Sequence, residues 1–193
     1  MVHSIVPLAV LEAVKNLDTP VEDGLTEFAE ELLVKRLGLS PTVAMQLAEY
    51  EQMVRRDGRV EEALVEALLR LVGRRPDADL VFADAGRRAA RRAVRRTFAP
   101  LRLFGYFAAR RAARAVLGAD LMRERHLPVA RVADPIAVQA TPDGAACGFY
   151  GAALAELLRL LVGYEGAMLH TACRATGAAA CEWRAAPPDS RHH

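Results

Sequence analysis

Cysteine is scarce in this 193-residue chain, and lysine is scarcer still. No apolar run approaches the length of about 18 residues that a membrane helix needs, so no span is expected. Aromatic residues make up 6% against a hydrophobic content of 52%, which leaves Ala, Leu and Val to build the core. There is no Gly-x-Gly-x-x-Gly, no Walker loop and no Gly-x-Ser-x-Gly, and no nicotinamide or flavin site is readable, so enzyme chemistry has no visible support. The opening Met1-Val2-His3-Ser4 lacks a basic segment followed by an apolar one, which makes a cytoplasmic location the expectation. Three cysteines is an odd number, and their spacing is not that of a secreted disulfide framework. Reduced thiols available to a metal are the alternative.

Charge is segregated along the chain. Residues 1–66 hold 13 acidic side chains against 6 Lys or Arg, whereas residues 87–114 hold 10 Arg and no acid. Arg88, Arg92 and Arg96 form one row on a helix, and Arg87, Arg91 and Arg95 form the next. These rows are expected to face solvent or to pair with the acidic N-terminal helices, within one chain or across a dimer. No groove-binding motif accompanies them, so nucleic acid is not the expected partner.

The first two thirds read as helices. Ile5 to Asn16 carries a narrow apolar stripe, and Thr19-Pro20 with Asp23 offers helix-start chemistry before Leu25, Phe28, Leu32 and Val34. Ser40 suits an N-cap with Pro41 at the first helical position. Val60 to Val72 follows. Asp79 to Thr97 has an inward face of small residues, among them Ala85, Gly86 and Ala89, that allows close approach by another helix. Pro100 separates it from a helix over about Leu101 to Leu117. After Gly118 the pattern changes. Val129–Val132 and Ile136–Ala140 are rich in β-branched residues and read as strands, with Pro135 marking an edge or bulge. Thr141-Pro142-Asp143-Gly144 is a turn. Ala146 to Leu161 is a helix closed by Gly163. Ala167–Ala172 and Cys181–Ala185 read as a hairpin.

All three cysteines, Cys147, Cys173 and Cys181, fall in the last third. Cys147 opens a helix, where the positive end of the helix is expected to lower its thiol pKa and favour a thiolate ligand. Cys173 and Cys181 flank the hairpin turn and can converge. Zinc takes four ligands, commonly thiolate or imidazole. His170, three positions before Cys173, is the best-placed fourth ligand, with Glu124 and His126 more distant candidates. Three buried thiols in an Ala-rich core are the alternative, since free cysteine is among the most buried residue types.

The stretch Cys147-Gly148-Phe149-Tyr150-Gly151, the Leu-rich helix after it, Cys173-Arg174-Ala175-Thr176-Gly177 and Cys181-Glu182-Trp183-Arg184 together resemble the end of a 4-vinyl reductase domain. Phe82-Ala83-Asp84-Ala85-Gly86-Arg87-Arg88 resembles the Gly-centred helix earlier in that domain. The family is related to Golgi-transport subunits and to haem nitric-oxide-binding domains. The resemblance implies an α+β fold with helices packed on a small antiparallel sheet around an apolar pocket. Phenol-sensing members bind an aromatic effector near a zinc site of three Cys and one acidic residue, and the acidic ligand's place is taken here by His170. Another branch belongs to bacteriochlorophyll synthesis. No ATPase or helix-turn-helix module is expected within these 193 residues, and they lack a Tyr-x-Ser-x-Arg haem motif.

The expectation is therefore an α+β chain. A helical extension over residues 1–77 precedes a 4-vinyl reductase-like ligand-binding domain over 78–186 and a tail over 187–193. The expected function is non-catalytic binding of a small hydrophobic or aromatic ligand, with a structural zinc held by Cys147, His170, Cys173 and Cys181. Phe104, Phe107, Phe149 and Tyr150 are the candidate pocket residues, and a homodimer through the helices is expected. A tetrapyrrole carrier or accessory factor in bacteriochlorophyll synthesis and a protein-assembly module are the alternatives.

Overall fold

The computed structural model describes residues 1–19, 40–97 and 104–186. The helix start expected after Thr19, the residues around Pro100 and the tail at 187–193 lie outside the described residues. The fold is α+β. Helix α1 (Ile5–Asp18) is followed by α2 (Pro41–Arg55), α3 (Glu62–Gly73), α4 (Ala78–Arg96) and α5 (Gly105–Ala112). A π-helical turn over Ala113–Leu117 extends α5. Strands β1 (Val2–His3) and β2 (Arg59–Val60) make a small antiparallel pair near the N-terminus. The C-terminal part comprises β3 (Asp120–Glu124), β4 (Leu127–Val132), α6 (Ile136–Ala140), α7 (Cys147–Val162), β5 (Met168–Ala172) and β6 (Cys181–Ala185). The sheet order is β3-β4-β6-β5, antiparallel throughout. No helix among the described residues is long and apolar enough to cross a membrane.

Local chemistry explains several boundaries. The Ser40 hydroxyl accepts the Val43 N–H at 3.2 Å and Pro41 opens α2, so the orphan donors of the first turn are partly satisfied. Gly163 ends α7 in the left-handed conformation that a side chain would disfavour.

Helix α1 is buried on nearly every side, with Ile5, Leu8, Ala9, Val10 and Val14 fully covered. Its apolar surface is thus wider than the narrow stripe expected from Ile5, Leu8, Leu11 and Val14. Packing against α2, α3 and α4 accounts for this. At its C-terminal end the buried Asp18 carboxylate meets the Arg75 guanidinium at 2.7 and 3.1 Å, and Arg75 also holds Asp77. One apolar core runs continuously from α1 through α4 and α7 to the sheet.

The small face of α4 does what its composition suggests. A Cβ added at Gly86 would lie 2.3 Å from the Phe149 carbonyl oxygen, so only glycine lets α4 and α7 come this close. The outer face carries the arginines. Arg92 pairs with Glu12 of α1, Arg96 with Asp57 at 2.9 Å, Arg88 with Asp84 at 2.7 Å and Arg91 with Glu156 at 2.8 Å. Two of these four carboxylates come from the acidic N-terminal region, so charge segregation is resolved in part within one chain.

Two expectations are corrected. Ile136–Ala140 is a short helix, not a strand, and Pro135 precedes it rather than marking an edge. Ile136, Ala137 and Ala140 are the covered positions, a helical spacing that outweighs the β-branched composition. Asp120–Glu124, by contrast, is a strand. It sits at the sheet edge, where charged residues are common.

Candidate metal centre

The turn expected at Thr141–Gly144 sets the start of α7. The Gly144 N–H donates to the Thr141 carbonyl at 2.8 Å, the Ala146 N–H donates to the Thr141 hydroxyl at 3.0 Å, and the Cys147 N–H donates to the Gly144 carbonyl at 2.9 Å. Gly144 has φ +80° and lies against the thiols. A Cβ there would stand 3.6 Å from Cys173 Sγ and 4.0 Å from Cys147 Sγ. The turn thereby delivers Cys147, buried, to the face of the terminal hairpin.

On the hairpin, Val132 of β4 stands opposite Cys181, and His170 of β5 stands opposite Trp183. Cys181, Trp183 and Ala185 all point inward, as the two-residue period of a strand requires. In a regular strand His170 and Cys173, three apart, would point to opposite faces. A β-bulge between His170 and Ala172 inserts one unpaired residue and shifts the register. The bulge puts His170 and Cys173 on the same side, toward Cys181 and the start of α7.

The result is a cluster of four candidate ligand atoms, one each from Cys147, His170, Cys173 and Cys181, all within 4.8 Å of one another. The three cysteines are free thiols. Cys173 Sγ and Cys181 Sγ are 3.7 Å apart. Two thiolates on one tetrahedral zinc, each at about 2.3 Å, stand about 3.8 Å apart. The Cys181 sulfur also accepts the Arg174 N–H at 3.4 Å, and the Arg174 guanidinium anchors this turn to the Ala133 carbonyl and the Asp134 carboxylate. The cluster can hold a metal ion.

The electrostatics correct one expectation. The Cys147 thiol is pushed up, not down, from its ordinary value. Burial is the main cause, and the neighbouring Cys181 and Cys173 add to it. Burial likewise raises Cys181. Three sulfurs crowded together resist becoming three anions unless a cation sits among them, and a bound metal inverts that balance by deprotonating its thiols. His170 is exposed overall, and the partial desolvation of its ring lowers its pKa, in the direction of the neutral imidazole that a metal requires.

His170 also stacks on Trp183, with ring centroids 4.7 Å apart, and Trp183 stacks in turn on Tyr150 at 5.4 Å. Phe149 meets Tyr150 edge-on. The chain's only tryptophan thus touches a candidate ligand. Its position two residues after Cys181 was the available signal, since the period of a strand puts both on one face.

Neither alternative fourth ligand joins the cluster. Glu124 is held by Arg131 and Arg184 at the far end of the sheet, paired with Leu127. His126 lies in the exposed β3–β4 turn with φ +72°. The four aromatic candidates do not share a cavity. Phe149 and Tyr150 are buried beside α1 and β1, whereas Phe104 and Phe107 are 68% and 56% exposed. Helix α5 buries Ala108, Ala109 and Ala112 instead, because Gly105 lies directly against the Leu161 carbonyl and leaves no depth for a ring. A cleft of about 440 Å³ lies between α4 and α5. It is bounded by Ala93, Ala108, Ala112 and Val116, with His3, Asp57, Arg96 and Arg111 supplying polar groups, and Asp57 pairs with both His3 and Arg96.

No family model matches this chain, and no curated protein or solved structure matches it either.

Proposed function

We propose that this chain is a non-catalytic binding module for a small hydrophobic ligand, and that it carries a structural zinc ion at a place separate from the ligand cleft. The observation that carries the zinc is the convergence of Cys147, His170, Cys173 and Cys181, whose donor atoms lie within 4.8 Å of one another. Three thiolates and one imidazole make a donor set typical of zinc, and they fill all four tetrahedral positions. A filled shell leaves no position for a substrate, which favours a structural role over a catalytic one. The ion would tie the start of α7 to the hairpin, and α7 packs along α4.

The cleft beside α4 supports the ligand half of the proposal. Its volume falls in the range of small-molecule sites, roughly 300–1,000 Å³. Small apolar side chains line its body, and Arg111 offers hydrogen bonds to a polar substituent, whereas His3 and Arg96 are already paired with Asp57. A phenol-sized aromatic ligand fits this chemistry. Resemblance to the 4-vinyl reductase family points the same way.

Purified reduced chain should contain about one zinc, and Cys173→Ser or Cys181→Ser should lose it. A folded, metal-free chain would overturn the zinc centre. Phenol titration, followed by isothermal calorimetry, should give saturable binding that Arg111→Ala weakens. Binding of porphyrin but not phenol would favour a tetrapyrrole carrier, and binding of neither would favour an assembly module.

A further inference from the structure

Taking the zinc centre proposed above as the starting state, we propose that Cys173 and Cys181 form an oxidisable pair: a hydroperoxide converts them to a disulfide, and the metal is released. The hairpin register sets this pair apart from the other two possible pairings. Ala172 stands opposite Glu182, so the next rung of the ladder places Cys173 opposite Cys181. Cys173 keeps extended backbone angles, with φ −134° and ψ 135°, just past the end of β5. Residues directly opposite on antiparallel strands have Cα atoms about 4.5–5.5 Å apart. A disulfide accepts about 4.4–6.8 Å. The two sulfurs already stand 3.7 Å apart, and side-chain rotation can close the remaining gap without moving the strands.

Access distinguishes the three thiols. Cys147 and Cys181 are buried, whereas Cys173 is half-buried and borders solvent at the turn. Gly144, which lacks a Cβ, faces the Cys173 sulfur. A small peroxide therefore meets Cys173 first. Its thiolate attacks one peroxide oxygen, the O–O bond breaks, and Cys173 becomes a sulfenic acid while the other oxygen leaves and takes a proton as an alcohol or water. The Cys181 thiolate then attacks the Cys173 sulfur. The S–O bond breaks, and hydroxide leaves and takes a second proton as water. Two thiolates have lost one electron each, and the hydroperoxide has gained both. Cys147 and His170 alone remain as ligands, half of the set that a closed zinc site needs.

The test uses the full-length zinc-loaded chain without reductant. Hydrogen peroxide is added, zinc release is followed with a chromogenic chelator, and thiols are counted and mapped by alkylation and mass spectrometry. The expected result is about one zinc released for every two thiols lost, a Cys173–Cys181 disulfide, and a Cys147 thiol that still alkylates after unfolding. Dithiothreitol should restore both thiols and zinc uptake. Zinc retained with three intact thiols would overturn the oxidisable pair and leave the zinc centre standing. Oxidation mapped to Cys147, or sulfinic acid without a disulfide, would also overturn the pair. A reduced chain that holds no zinc would remove the zinc centre itself and the pair with it.

Discussion

Helix α7 is held by different physics at its middle and at its start. Its middle lies against α4 through Gly86, Ala152 and Ala153, where the backbones nearly touch. Its start meets a hairpin whose outer strand is largely exposed, and there four side chains converge on a point. The first contact needs small residues and precise shape. The second is packed as well, with Cys147, Cys181 and Trp183 buried, and a shared ion would add its own tie there. On the proposed reading, a domain of modest size closes one seam by packing alone and adds coordination at the other.

The packed seam should be the less forgiving. Gly86→Val would drive a methyl-bearing carbon into the Phe149 carbonyl, with backbone on the other side and nowhere to move. A loss of about 3 kcal/mol or more is expected, seen as global unfolding at lower denaturant whether or not zinc is present. If the variant unfolds only when zinc is removed, the two seams are not independent.

Zinc removal should act locally. Cys181→Ser, or chelation of the wild-type chain, should cost the hairpin about 2 kcal/mol or more. Amides of Met168–Ala172 and Cys181–Ala185 should lose hydrogen-exchange protection while those of α1 and α4 keep it. Trp183 emission should change as well, since His170 stacks on its ring. Equal loss of protection in α1 would contradict the division.

A third contribution links the seams. Glu156 of α7 is nearly buried and is held by Arg159 and Arg91, which bring its pKa from an ordinary 4.5 down to about 2. A carboxylate with a depressed folded pKa stabilises the fold fully above its unfolded value and loses that effect as pH falls. Glu156→Gln should therefore cost about 1 kcal/mol at pH 7, kept small by the half-exposed arginines. The difference from wild type should shrink between about pH 5 and pH 2, as thermal denaturation at each pH would show. A difference that is constant over that range would remove the ion pairs from the account.

The smallest effect is expected at the fourth ligand. His170→Glu exchanges one zinc ligand for another, so about one zinc per chain should remain and stability should change by less than about 1 kcal/mol. Loss of all metal in this variant would mean that the ring's stack on Trp183, and not its nitrogen alone, positions the site.

How much of this was legible depends on whether the decisive feature is local. Ser40-Pro41, the Thr141–Gly144 turn, the Gly163 cap and the small face of α4 are short-range signals, and the structure carries each of them. Asp120–Glu124 was not legible because an edge strand rich in charge looks like a loop. Ile136–Ala140 misled because β-branched composition says nothing about which face the neighbours cover. The bulge after His170 leaves no mark in Met-Leu-His-Thr-Ala, yet it brings His170 to the cysteines. Spacing named the histidine that joins the three cysteines, and only the register shows why a three-residue interval works on a strand. Phe104 and Phe107 are exposed and lie apart from Phe149 and Tyr150, because the helix contact at Gly105 buries alanines in their place.

X-ray absorption at the zinc edge of the purified, reduced chain tests the coordinated seam most directly. Three sulfurs at about 2.3 Å and one nitrogen at about 2.0 Å are expected around the zinc. A shell of oxygens and nitrogens without sulfur, or fewer than three sulfurs per zinc, would contradict this.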